Sequence, residues 1–121
     1  MKKENIIKQK SFSFAVRIVS IYKHLSENKK EYVLCKQLLR SGTSIGANVR
    51  EADNAESKSD FIHKMSIAQK ETDETMYWLE LLKESEYLSE KDFESLFSDA
   101  AEILKILRSI ILTTKKNIHH S

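Results

Sequence analysis

Polar residues recur at helical spacing on two stretches of the chain whose other residues are mostly apolar. They are Arg40, Ser44, Asn48 and Glu51 on the first stretch and Glu71 and Glu74 on the second. A carboxylate on a core-facing stripe needs a partner, and a guanidinium can engage one through two parallel hydrogen bonds. We therefore predict a structural polar network in which Arg40 pairs with Glu71 and fixes the register of two helices. The alternative is a ligand or nucleotide pocket at the same place.

Residues that would support metal or nucleophilic chemistry are few. Di-iron four-helix bundles need a Glu-x-x-His on each of two helices, whereas this chain has one similar pair, Asp60 and His63. Cys35 lies on an apolar face without a neighbouring base, which is typical of cysteine acting as a small hydrophobic residue. No glycine-rich phosphate loop is present. The sequence predicts a protein that is not an enzyme, with no catalytic residue, metal or cofactor.

Basic residues cluster near both termini, and six lysines are candidate contacts with RNA or DNA. They are Lys2, Lys3, Lys8, Lys10, Lys115 and Lys116, with His119 and His120 following the last pair. If the first and last helices are antiparallel, the two clusters merge at one end. Repetition in an oligomer would then form a basic collar. The alternative is that these lysines are solvated chain ends.

Four amphipathic segments are needed to position these residues. Apolar residues recur at helical spacing over 8–27, 31–55, 59–84 and 89–114. Ser57 with Asp60, and Ser89 with Asp92, predict N-terminal caps for the last two helices, with Ser59 as a competing cap for the third. Short polar connections make neighbouring helices antiparallel. The predicted fold class is therefore all-α, an up-down-up-down four-helix bundle formed by residues 1–121 as a single domain.

Two features of the helices predict close packing and self-association. Gly42 and Gly46 lie four residues apart within one helix, which indicates a close approach by a neighbouring helix; a local kink is the alternative. The first and fourth segments carry apolar faces wider than the roughly 100° that a bundle core needs, the fourth because Ile103, Ile106 and Ile110 broaden its stripe. We predict that another copy of the chain covers both.

Composition limits the possible partners and the location. The chain has 20 basic and 18 acidic residues, and this near-neutral balance argues against strong binding of nucleic acid by a monomer. No apolar run approaches the ~20 residues that cross a bilayer, and no secretory signal is recognisable at the N-terminus. We expect a soluble, cytoplasmic protein that has no membrane partner.

Four segments carry a family resemblance: 12–15, 37–52 (QLLRSGTSIGANVREA), 61–68 and 71–79. With these segments the chain resembles the four-helix-bundle proteins encoded in 23S rRNA intervening sequences. The resemblance implies a homopentameric ring of bundles. It also implies a relation to the accessory variability proteins of diversity-generating retroelements, similar pentamers that associate with a reverse transcriptase and nucleic acid.

Two functions follow as expectations. The first is a non-enzymatic homo-oligomeric scaffold, pentameric by the resemblance, that binds RNA or DNA through basic residues at one end. The second is a protein–protein adaptor with no nucleic-acid contact. An enzyme would instead require a deep polar pocket around Arg40, Asn48, Glu51 and Glu71.

Overall fold

Four helices account for most of the computed structural model, which describes residues 2–120 and the side chains of residues 2–118. They are α1 (Lys3–Glu27), α2 (Leu34–Ala52), α3 (Lys58–Glu84) and α4 (Glu90–His120). Each helix packs on the next along the chain, and α1 also packs on α4, which closes the bundle. No strand occurs within residues 2–120. The predicted all-α, up-down-up-down four-helix bundle is confirmed.

The helix ends differ from the predicted ones. The first helix begins at Lys3 instead of residue 8, because Ile7 is buried and extends the apolar stripe by a turn. The last continues to His120 instead of residue 114, and its C-terminal lysines favour this extension through the helix dipole. The second is shorter at both ends. At its C-terminal end, Asn54 and Ala55 form i→i−3 turns in place of helical bonds.

Both predicted serine caps are present. The Ser57 hydroxyl accepts a hydrogen bond from the Asp60 N–H at 3.0 Å, and Ser89 accepts one from the Asp92 N–H at 3.1 Å. These bonds satisfy backbone N–H groups that have no partner inside the helix. The caps therefore fix where α3 and α4 begin, and with them the register of the polar residues farther along α3.

Gly42 and Gly46 lie within the continuous helix α2, where α1 passes closest. A Cβ atom on Gly42 would stand 2.8 Å from the Ile18 Cγ1, and one on Gly46 would stand 3.3 Å from the Ser11 carbonyl oxygen. These distances confirm the predicted close packing. They bring the outer faces of α1 and α2 next to each other.

The second cover predicted for the isoleucines of the fourth helix is wrong. Ile103 and Ile110 are buried inside the bundle, and Ile106 is half-buried. The reason is that α4 packs on α1 as well as on α3, so its wide apolar face is used within one copy. On α1, in contrast, large apolar side chains remain exposed.

Within residues 2–120, no helix combines the length and hydrophobicity needed for a membrane span.

Candidate functional site

An uncharged surface covers the outer side of α1 and α2. On α1, Phe12, Val16 and Val19 are 59%, 55% and 37% exposed, and their spacing of four and three places them on one face. On α2, a parallel stripe recurs every four residues. We call the whole the α1–α2 surface; its members are Phe12, Ala15, Val16, Val19, Leu39, Thr43 and Ala47.

A groove of about 430 Å³ runs along this surface between the two helices. Phe12 and Ala15 line it from α1, and Thr43, Gly46 and Ala47 line it from α2. The groove exists because residues without bulky side chains occupy these α2 positions. Contiguous exposed apolar surface on a folded chain usually marks an interaction site. The arrangement fits contact with another protein surface better than catalysis.

The predicted polar network lies between α2 and α3, on a different side. Arg40 Nη1 donates to Glu71 Oε2 at 2.8 Å, and Arg40 Nη2 donates to Glu74 Oε2. The Trp78 indole N–H also donates to Glu74 Oε2, at 3.0 Å. Hydrogen bonds from Trp78, and then from Arg40, lower the pKa of the Glu74 carboxyl despite its partial burial. The bonds to Glu74 and Glu71 raise the pKa of Arg40.

The remaining members of the predicted network lie apart from this cluster. The Ser44 hydroxyl donates to the Arg40 carbonyl at 2.6 Å, and the Asn48 amide donates to the Ser44 carbonyl at 2.9 Å. Glu51 pairs with Lys64 at 3.1 Å. No buried side-chain nitrogen or oxygen in the described part of the chain lacks a partner. The polar groups are therefore satisfied without a ligand.

Removing the Arg40 guanidinium tests how much this cluster contributes to the free energy of unfolding. The side chain of Arg40 is 50% exposed, and those of Glu71 and Glu74 are 15% and 37% exposed. Solvent screening then limits the loss for Arg40→Ala to about 1 kcal/mol, below the several kcal/mol of a buried pair. Urea denaturation measures it. Arg108→Ala, an exposed arginine without an ion pair in the described residues, is the matched control and should change stability by less than about 0.5 kcal/mol.

Two of the six candidate nucleic-acid lysines are engaged in ion pairs. Lys8 pairs with Asp53, and Lys10 pairs with Glu102 at 2.6 Å. Lys3 donates to the Ser109 hydroxyl. These contacts place the start of α1 beside the C-terminal part of α4.

The other three candidates, Lys2, Lys115 and Lys116, are exposed and make no ion pair with the described residues. Beyond Ser109, α4 continues for about 16 Å to His120, with Ile110 and Ile111 still buried in the bundle. The side chains of His119 and His120 lie outside the described residues.

Sequence reasoning overlooked two further cations of this end, Lys105 and Arg108. The signal was present, because residues 103–120 hold four lysine or arginine residues and no acidic residue. The preceding part of α4, residues 90–102, is predominantly acidic. The helix is thus polarised along its axis, with acidic residues confined to its first half and mostly basic charge in its second.

A second feature overlooked in the sequence lies at the start of α2. The Glu31 carboxylate accepts hydrogen bonds from the N–H groups of Val33, Leu34 and Cys35, at 3.2, 2.9 and 2.8 Å. Cys35 is fully buried and its thiol donates to the Glu31 carbonyl at 2.9 Å. Burial, followed by the hydrogen bond and charge of Glu31, raises the pKa of the Cys35 thiol to about 11. The thiol therefore stays protonated at neutral pH.

A protein-family model and a crystal structure both match this chain. A family model described as 23S rRNA-intervening sequence protein matches residues 3–109. A crystal structure from Bacteroides thetaiotaomicron, described as a protein with unknown function from the S23 ribosomal protein family, is 56% identical. The match covers 91% of this chain and 98% of that one, with a TM-score of 0.90. No curated protein matches. The family resemblance drawn from the motifs is confirmed, and residues 110–120 lie beyond the family match.

Proposed function

This chain belongs to the 23S rRNA-intervening sequence protein family, and we propose that it is a non-enzymatic scaffold that assembles from five copies of itself in the cytoplasm. The observation that carries the proposal is the α1–α2 surface, where a phenylalanine and two valines are exposed side by side on one helix. Covering apolar area gains about 25 cal/mol per Å², so a chain with such a face gains free energy by association.

The non-enzymatic part of the proposal rests on the state of the polar groups. The Cys35 thiol is buried and protonated, and the Arg40 cluster is satisfied by its own carboxylates. No group of three or more His, Cys, Asp or Glu side chains in the described part of the chain is arranged to hold a metal ion. Exposed features of the chain, the α1–α2 surface and the basic residues of α4, suit assembly and binding instead.

Nucleic acid is the proposed ligand of the assembled scaffold. Five exposed cations form a basic end, and none of them makes an ion pair with a carboxylate among the described residues. They are Lys2, Lys105, Arg108, Lys115 and Lys116. Phosphodiester backbones bind such cations by releasing condensed counterions, whatever their base sequence. Assembly multiplies this charge, which compensates for the weak net charge of +2 on one copy. Since RNA and DNA share this chemistry, either fits.

Multi-angle light scattering, with and without RNA, tests the proposal. We expect the wild-type chain to have a mass several times the subunit value of 14.1 kDa, with five subunits as the proposed number. Val16→Asp places a charge in the α1–α2 surface and should reduce the mass to one subunit. Leu112→Asp is the control, because Leu112 is equally exposed on α4 outside that surface and its replacement should leave assembly intact.

The RNA arm separates the scaffold from a protein–protein adaptor. Added RNA should increase the mass at low salt, and the increase should disappear at moderate salt because counterion release drives the binding. Lys115→Glu combined with Lys116→Glu should remove the increase without changing the mass of the protein alone. A wild-type monomer would overturn self-assembly. An intact assembly whose mass does not change when RNA is added would overturn nucleic-acid binding and favour the adaptor.

A further inference from the structure

A second exposed surface lies on α3, and it complements the α1–α2 surface in charge. We infer that this α3 surface of one copy docks on the α1–α2 surface of the next copy, in a head-to-tail contact. The inference rests on the proposed self-assembly and adds the two faces that meet. We call the second surface the α3 stripe; its members are Asp73, Tyr77, Glu80 and Glu84.

The α3 stripe has the form of an aromatic anchor among carboxylates. Its members are spaced by four, three and four residues, which places them on one face of the helix, and all are exposed. Its three carboxylates make no ion pair with the described residues, and they outnumber Lys70, the exposed cation one turn before Asp73. Tyr77 is 57% exposed. Tyrosine is one of the residue types that most often carry the binding energy of a protein–protein contact.

The Tyr77 ring is held in place before any partner arrives. It packs edge-on against Trp78, with 5.0 Å between ring centroids and 71° between planes. Trp78 is fixed in turn by its hydrogen bond to Glu74, which Arg40 also holds. The Arg40 cluster thus supports the aromatic anchor from behind. An ordered side chain loses less entropy on binding, so this arrangement favours docking at Tyr77.

The α1–α2 surface carries cations at its margins. Lys23 continues the α1 stripe of Phe12, Val16 and Val19, while Lys36 and Arg50 lie at the two ends of the α2 stripe. All three are exposed and make no ion pair with the described residues.

Most carboxylates near this margin are already engaged, and Glu27, one turn after Lys23, is the exception. Glu51 pairs with Lys64, and Asp53 pairs with Lys8. The surface is therefore apolar in the centre and positive at the edge, which complements an aromatic ring flanked by carboxylates.

The position of the two surfaces determines the type of contact. The third helix packs on α2 and α4 but not on α1, so α1 and α3 are diagonal in the bundle. The α3 stripe of one copy therefore cannot cover the exposed face of α1 in the same copy. A contact between two different surfaces is heterologous, and repetition of such a contact closes into a ring when the rotation permits. A twofold dimer would instead bury the same surface on both copies.

Mixing two assembly-defective variants tests the head-to-tail contact. Val16→Asp blocks the α1–α2 surface and Tyr77→Asp blocks the α3 stripe, so each variant alone should have the subunit mass of 14.1 kDa. Each keeps the surface that the other lacks. An equimolar mixture should therefore form a dimer of twice that mass and stop there. Both positions are more than half exposed, and circular dichroism confirms that each variant is folded.

Charge reversal provides an independent arm of the experiment. Lys36→Glu with Arg50→Glu should weaken wild-type assembly at least tenfold, as should Asp73→Lys with Glu80→Lys. Combining all four substitutions in one chain should restore most of the assembly, because each edge again meets the opposite charge. Glu56→Lys with Glu94→Lys, both exposed and outside the two surfaces, is the control and should leave the mass unchanged.

The outcomes distinguish this inference from the proposed function. A Tyr77→Asp chain that still assembles fully would overturn the docking of the α3 stripe and leave self-assembly standing. Two monomeric variants whose equimolar mixture stays monomeric would also overturn the head-to-tail contact. A wild-type chain that is monomeric would overturn the proposed function itself. A mixed dimer together with charge rescue would establish the pair of surfaces.

Discussion

Replacing Gly42 with leucine is expected to destabilise the fold by about 2 kcal/mol, although leucine is the better helix former. Even the Cβ atom would stand 2.8 Å from the Ile18 Cγ1 and 2.9 Å from its Cγ2. Ile18 is fully buried in the core, so any shift that relieves the contact moves packed side chains. Overpacking of this kind costs about 1–3 kcal/mol or more, and the gain in helix propensity offsets only about 1 kcal/mol. Urea denaturation followed by circular dichroism measures the change.

Gly46→Ala is the matched control for this prediction. Its Cβ atom would lie 3.3 Å from the Ser11 carbonyl oxygen, a tight contact that a small shift relieves. The gain in helix propensity then balances the strain, so the stability should change by less than about 1 kcal/mol. A Gly42→Leu chain as stable as the wild type would show that α1 and α2 separate without cost. The groove of the α1–α2 surface would then have no fixed width.

The fold was predictable because local and global signals agree in this chain. Helical spacing of apolar residues, short polar connections and serine caps at Ser57 and Ser89 all indicate the same four helices. The contacts of Arg40 with Glu71 and Glu74 followed from the same spacing. A carboxylate on a mostly apolar stripe restricts its possible partners to cations on the facing helix.

The exposure of individual residues was not predictable from spacing alone. The apolar faces of α1 and α4 are equally wide in the sequence, yet Ile103 is buried while Val16 is exposed. Both helices pack on two neighbours, so the difference lies in orientation: α4 turns Ile103 toward the core, whereas α1 turns Val16 outward. The same pattern therefore has two outcomes, and only the packing of the helices distinguishes them.

The lysine cluster was only partly predictable for a related reason. Whether a lysine is free depends on which carboxylate the fold brings near it, and Asp53 and Glu102 are remote from Lys8 and Lys10 in sequence. Lys105 and Arg108, in contrast, lie in a stretch without acidic residues, so local sequence was informative there. Charge along one helix is thus a better guide to a basic surface than proximity to a terminus.

Glu31→Ala is expected to destabilise the fold by about 2 kcal/mol, since Glu31 caps α2 through three backbone N–H groups. The chain reaches this geometry through Lys30, whose φ of 57° lies in the left-handed region. The bond to Cys35 is buried, whereas those to Val33 and Leu34 are partly buried, so water replaces only some of the lost acceptor. Thermal denaturation measures the loss. Glu56→Ala, in the exposed loop before α3, is the control and should have little effect.

The same cap predicts how stability depends on pH. Burial would raise the pKa of the Glu31 carboxyl, but the hydrogen bonds from the backbone of Leu34, Cys35 and Val33 outweigh it and lower the pKa below its ordinary 4.5. A depressed pKa in the folded state means that the ionised cap stabilises the fold above the unfolded-state pKa. This contribution is lost as pH falls through the lower, folded-state value. Stability of the wild-type chain should therefore fall more steeply below pH 4.5 than that of Glu31→Gln, which has no charge to lose. If the stability of the two chains fell equally steeply with pH, Glu31 would not act as an ionised cap, because a neutral cap responds to pH no more than glutamine does.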